Sequence, residues 1–234
     1  ATYGLDDHCR VVCSIRNPFL DLARGGTGRP IPPACGEQGT VFGYACGETP
    51  ERMPLSVVLA HRLTREMDRL RKKDVLPYLL ADGKAQITLE YDRDQPVRAA
   101  FIGILAQHSP EIGLTQLRKE LEEHLVRRCI PASMLDAQTI VQINPAGPIF
   151  LGGPILHTGV SGRSALLHAY GGHARLGSGA LSGRDPSRIE RGGAYMARAV
   201  AKAMVAYGAA SQCEVQITYS AGKEAPTCLW IDTR

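Results

Sequence analysis

From residue 54 to 72 the apolar side chains Leu55, Leu59, Leu63, Met67 and Leu70 recur three or four apart, while Arg62, Arg65, Arg69 and Lys72 fall off the stripe. That period predicts an amphipathic helix opened by Pro54. The period then drops to two: Ile87, Leu89 and Tyr91 share one face of Ala85 to Tyr91, which predicts a strand. Val97 to Leu105 is a more continuous apolar run and predicts a second strand. Leu114, Leu117, Leu121 and Leu125 return to helical spacing with their side chains inward, and Thr139 to Ile143 closes the unit as a strand. Helix, two strands, helix and strand within about ninety residues predict an α+β layer with its helices on one sheet face. Upstream, residues 11 to 15 predict a short strand, and residues 17 to 36, rich in Gly, Pro and Arg, a long loop.

The second half is less regular. Residues 146 to 183 carry glycine at 147, 152, 153, 159, 162, 171, 172, 177, 179 and 183, a density that makes helices and strands costly. A helix of small residues is expected from about Gly193 to Tyr207, with Met196, Val200, Ala203 and Tyr207 on one face. Cys213 to Tyr219 then alternates as a strand, and Thr227 to Ile231 is expected to pair with it.

At 234 residues and 44% hydrophobic the chain has length for one or two cores. A formal charge of +4, with no basic stripe interleaved with aromatics, argues against nucleic acid. There is no apolar run long enough to cross a bilayer and no signal-peptide pattern at the start, so no membrane is expected. Cysteines at 9, 13, 35, 46, 129, 213 and 228 form no CxxC pair, which predicts reduced thiols in the cytoplasm. The chain starts at Ala1 and stops just after an expected strand, which leaves two readings: trimmed ends, or one piece of a larger assembly.

Chemistry concentrates in GSGALSGRDPSRIE, residues 177 to 190. Its glycines let main-chain N–H groups approach a ligand, and a helix is expected to open at Asp185-Pro186-Ser187. Such an N-terminus attracts anions, and Arg184 and Arg188 add full positive charge. Glu190 either closes a capping box with Ser187 or helps hold a metal ion between phosphates. A glycine-rich turn before a capped helix is the plainer alternative.

Further segments carry a resemblance. GEQGTVFGYACGET (36–49), MPLSVVLAHRL (53–63), LPYLLADGKAQITLEYD (76–92), INPAGPIFLGGP (143–154), TGVSGR (158–163) and YGGHARLGSGALSGRDPSRIERGGAYMARAVAK (170–202) resemble the S-adenosylmethionine synthetases, in family order. The resemblance implies transfer of the adenosyl group of ATP to the sulfur of L-methionine. Triphosphate is released and then cleaved, with Mg²⁺ and K⁺ as cofactors. It implies an α+β fold of repeated βαββαβ-like domains, interleaved in sequence and incomplete in this chain, with active sites between subunits of a dimeric or higher assembly. The implied division is residues 1–44 with 193–234 as a discontinuous C-terminal-type domain, 45–144 as a complete α+β domain, and 145–192 as half of a central domain.

Carried over by motif, Arg184, Arg188 and Glu190 stand where the family has two lysines and an aspartate on the polyphosphate and its metal. Arg163 matches a phosphate-binding arginine, and Asp82 and Lys84 match a pair that engages nucleotide and phosphate. Lys84, Arg163 and Arg184 are the implied catalytic residues, with Ser182, Gly183 and Asp185 of the loop also on ATP. Glu37 stands where an aspartate lies near the methionine amino group, with Arg188 on the same ligand. Taken singly, Asp82 also suits a turn with Gly83, and Arg163 a solvated surface charge.

The departures define what is missing. A GHPDK-type segment, which supplies a phosphate-binding histidine and a metal-binding aspartate, does not occur in these residues, and neither does the family's C-terminal tail. Two lysines are now Arg184 and Arg188, a fork in place of a point charge. Ser164 replaces a lysine, His157 an acid, and Pro18 and Phe19 the gating-loop glutamine and its neighbours, while Asp21 is kept. Ile149 stands where a ring stacks on adenine, with Phe150 adjacent. Two expectations follow: a synthetase subunit completed by a second polypeptide carrying the missing segment, or a degenerate homologue acting as a regulatory or scaffolding subunit.

Overall fold

The structure, a computed structural model, describes residues 12–15, 37–153, 156, 164–177, 181–186 and 188–233. The expected loop over 17–36, with Pro18, Phe19 and Asp21, lies outside the described residues, as do His157, Arg163 and Ser187. Residues 12–15 are exposed and form no strand, which corrects the expectation there.

The helix expected after Pro54 is α1, Leu55–Lys72, and it buries Val57, Leu59, Leu63, Met67 and Leu70. The two following strands, β2 (Leu79–Asp92) and β3 (Gln95–His108), are longer than the hydrophobic pattern alone predicts and pair antiparallel. The hairpin register carries its ladder to the exposed pair Asp92 and Gln95 at the turn, and past Gly83 to the buried pair Leu79 and His108 at the other end. α2 (Leu114–Leu121) continues through a π-helical turn, Glu122–Val126, into a last helical turn, α3 (Arg127–Cys129). Leu117, Leu121 and Leu125 are fully buried along it. β4 (Ile140–Ile143) pairs parallel to β3. Ile102, Ile104 and Ala106 of β3 share one core with α1 and α2, so both helices cover the same sheet face. Each fully buried leucine there stabilises the fold by roughly 1.5–3 kcal/mol.

A second sheet has the order β1–β5–β6, formed by β1 (Gly39–Cys46), β5 (Gln212–Tyr219) and β6 (Cys228–Thr233), all antiparallel. After α4 (Ala165–Tyr170), a π-helical turn, Ile189–Gly193, leads into α5 (Ala194–Ala206), which packs on this sheet. Its buried face is Ala194, Ala197, Ala201 and Val205. The expected stripe is therefore corrected: Met196 is 57% and Tyr207 91% exposed. The cause is a glycine in the strand below. A Cβ on Gly43 would lie 2.1 Å from the Ala197 carbonyl carbon. The helix backbone sits directly on the sheet there, and only small side chains fit between them.

Asn144 ends β4 with a positive φ of 44° and is fully buried. Its side-chain amide takes over the role of a strand: Oδ1 accepts from the Ala106 N–H and Nδ2 donates to the Ala106 carbonyl, each at 2.8 Å. Arg118 of α2 donates to the carbonyls of Ile143 and Asn144 at 2.9 and 2.8 Å. The chain beyond is thus led back along the end of β3.

Candidate active site

Among the described residues the expected site residues lie in two groups, one beside each sheet. The first gathers where β2 and β3 meet the returning segment. The His108 N–H donates to the Ile149 carbonyl at 2.9 Å, and Gln107 Nε2 donates to the Phe150 carbonyl at 3.2 Å. Asp82 accepts the Gly153 N–H on Oδ2 at 2.5 Å, and its own N–H donates to Gln107 Oε1 at 3.2 Å. A Cβ on Gly152 would come within 2.7 Å of Asp82 Oδ2, so the glycine pair is what lets the backbone reach this carboxylate. The Phe150 ring meets His108 edge-on at 5.1 Å between centroids and is itself 44% exposed. Lys84 stands exposed two residues along the strand from Asp82.

The second group lies against β1. The Arg188 guanidinium forms an ion pair with the Glu37 carboxylate. Ile189 is buried and packs so closely on Gly39 that a Cβ there would be 2.9 Å from its Cδ1. The π-helical turn is thereby pinned to β1, the strand that follows Glu37. Before it, Ser182, Gly183, Arg184 and Asp185 are all exposed in a turn, with Gly183 at φ +77°. Arg191 Nη1 donates to the Arg184 carbonyl at 2.5 Å. Among the described residues Glu190 Oε2 is buried without a hydrogen-bond partner.

The helix expected to open at Asp185-Pro186-Ser187 begins later, which is a correction. Arg188 is extended, at φ −70° and ψ 135°, so the helical turns start at Ile189, and no side chain caps them. Pro186 is therefore a turn residue. The unit after it is too irregular to act as the straight helix N-terminus the sequence suggests, so the positive charge of the loop is carried by its side chains.

A buried carboxylate oxygen with no partner is costly unless something meets it. Mg²⁺ is ordinarily bound through one or two carboxylates together with phosphate oxygens and water. Glu190 fits one such ligand position. Among the described residues no group of three His, Cys, Asp or Glu side chains could hold a metal by itself.

Sequence reasoning missed Gln107, Asn144 and Arg191. Gln107 is the polar outward residue at the end of an otherwise apolar strand, and Asn144 precedes a proline, the two signals available for them. Arg191 has only its spacing of three from Arg188.

The central-domain model of the S-adenosylmethionine synthetases matches residues 33–149, and their C-terminal-domain model matches residues 151–234. The chain belongs to the S-adenosylmethionine synthetase family. Membership associates it with a transferase family of S-adenosylmethionine biosynthesis. The α+β architecture of two small sheets is that of synthetase domains. β1 falls in the span matched to the central domain but hydrogen-bonds to β5 in the span matched to the C-terminal domain. No helix among the described residues is long and apolar enough to cross a membrane.

Proposed function

We propose that this synthetase-family chain is a methionine adenosyltransferase subunit. It forms S-adenosylmethionine from ATP and L-methionine, releases and cleaves triphosphate, and is completed by a partner polypeptide carrying a GHPDK-type segment. The reading includes the three-part domain division given above, a cytoplasmic hetero-oligomer, and Mg²⁺ and K⁺ as cofactors. The observation that carries it is the geometry beside β1: Arg188 held by Glu37, with the partnerless Glu190 Oε2 two residues on.

In the reaction the methionine sulfur attacks the ribose C5′, the C5′–O bond breaks, and both its electrons leave with triphosphate. Charge on the leaving group must be met as it develops. Arg163, Arg184 and Arg188 would supply cations, and Lys84 of β2 a further one. Asp82 orients the nucleotide, Phe150 offers its exposed ring face to adenine, and Glu37 faces the methionine ammonium. Mg²⁺ would neutralise phosphate oxygens at Glu190.

The test is the composition and activity of the assembly isolated from its own cells. Expected is a second polypeptide with the histidine and aspartate of a GHPDK-type segment, and S-adenosylmethionine formed from ATP and methionine. An assembly of this chain alone, forming no product, overturns the reading in favour of a regulatory or scaffolding subunit.

A further inference from the structure

The face of the β1–β5–β6 sheet turned away from α5 is covered by the end of α4 and the segment after it, residues 169–177. Tyr170 meets Tyr44 edge-on at 5.8 Å, and Ala174 and Leu176 pack on the same small cluster. Arg175 sits between them and grips the sheet. Its N–H donates to Glu214 Oε2 at 3.1 Å and its Nε donates to Glu214 Oε1 at 2.6 Å. Its guanidinium carbon lies 5.4 Å from the Phe42 ring centroid and 5.1 Å from that of Trp230. Phe42 is on β1, Glu214 on β5 and Trp230 on β6, so one side chain engages every strand of the sheet. Two residues on, Gly177 lies flush on β1, where a Cβ would be 2.8 Å from the Thr40 carbonyl oxygen. At the other end His173 Nε2 is 3.3 Å from Ser56 Oγ of α1.

We propose that Arg175 is a positioning residue: it fastens the segment leading into the phosphate loop and so sets where Arg184 stands. The inference rests on the phosphate reading of that loop. The segment's other contacts are small apolar ones and a long hydrogen bond, so a loop released at Arg175 spends part of its time displaced. A ligand that binds only the seated loop then loses affinity in proportion to the seated fraction. One ion pair and two cation–π contacts at a half-exposed position are enough to change that fraction about tenfold.

The experiment measures binding of inorganic triphosphate by calorimetry to the full chain in its native assembly, with Trp230, its sole tryptophan, as a fluorescent reporter. Arg175→Ala is expected to bind about tenfold more weakly, with its melting temperature within about 2 °C of wild type and no triphosphate-dependent change in Trp230 emission. Arg175→Lys, which keeps the ion pair but not the planar stack, recovers part of the affinity. Wild-type affinity in Arg175→Ala overturns the inference. If that variant does not fold, Glu214→Gln decides: binding weakened several-fold supports the inference and unchanged binding overturns it. Wild-type protein that binds no triphosphate overturns the phosphate reading itself, and the inference with it.

Discussion

Arg184 has an exposed side chain and a carbonyl held by Arg191. A side chain so placed adds little to stability but is free to meet a ligand. Arg184→Ala is therefore expected to lower turnover by about a hundredfold or more, since an interaction made as charge develops is lost from the barrier itself. Its melting temperature should stay within about 1 °C of wild type. Assaying both quantities on one preparation checks this, and unchanged turnover removes Arg184 from the mechanism. Which residues carry charge was legible in the sequence, because glycines beside arginines and acids are a local pattern. Their partners were not. The ion pair of Glu37 with Arg188 spans most of the chain, and the bonds of Asp82 with Gly153 and Gln107 depend on how the segment after Asn144 returns along β3. No spacing along the chain encodes such contacts.

At the scale of elements, what the periodicity predicted was decided by how unambiguous each period was. α1 buries the predicted stripe because leucines on one side and arginines on the other leave a single face to bury. α5 buries a different face from the predicted one. In a helix of alanines the large side chains look like the core side, yet Gly43 admits the backbone so closely that the alanines win. The same fact makes a prediction. Gly43→Ala puts a methyl group 2.1 Å from main-chain atoms of Ala197 and Arg198, which cannot swing aside as a side chain would. Overpacking of this kind costs about 3 kcal/mol, toward the upper end of its usual range. For a chain of this size that lowers the melting temperature by roughly 10 °C. The loss should appear in thermal unfolding followed by circular dichroism. A melting temperature equal to wild type would mean that α5 does not rest on Gly43.

The whole molecule should have a stability plateau bounded by groups that are not in the candidate site. On the acid side, hydrogen bonding to Arg98 lowers the Asp136 carboxyl from 3.8 to about 2, with Nε and Nη2 of Arg98 donating at 2.7 and 3.0 Å. Glu66 is lowered by Arg69, Asp68 by Lys72 and Arg71, and Glu120 by its bonds from Tyr78 and Gln116. A carboxyl with a depressed folded value stabilises the fold above its unfolded value and loses that contribution as pH falls through the folded one. The carboxyl contribution should therefore decline below about pH 4 and be largely lost near pH 2. On the alkaline side, burial raises the thiols of Cys46 and Cys129 from 9.0 to about 11, and burial likewise raises the hydroxyls of Tyr44, Tyr78 and Tyr91. The folded state keeps these protons after the unfolded chain has released them, so stability falls as pH climbs from 9 through 11. Melting temperature measured against pH should be flat only between about pH 7 and 8 and drop on both sides, because burial lowers the His61 imidazole and starts the acid-side decline below 6.5. Asp136→Asn isolates the acid limb: if the Arg98 pair is responsible, the variant melts lower than wild type at neutral pH and the gap closes as pH approaches 2. A gap that stays constant with pH would assign the lost stability to packing of the β2–β3–β4 sheet rather than to the carboxylate charge.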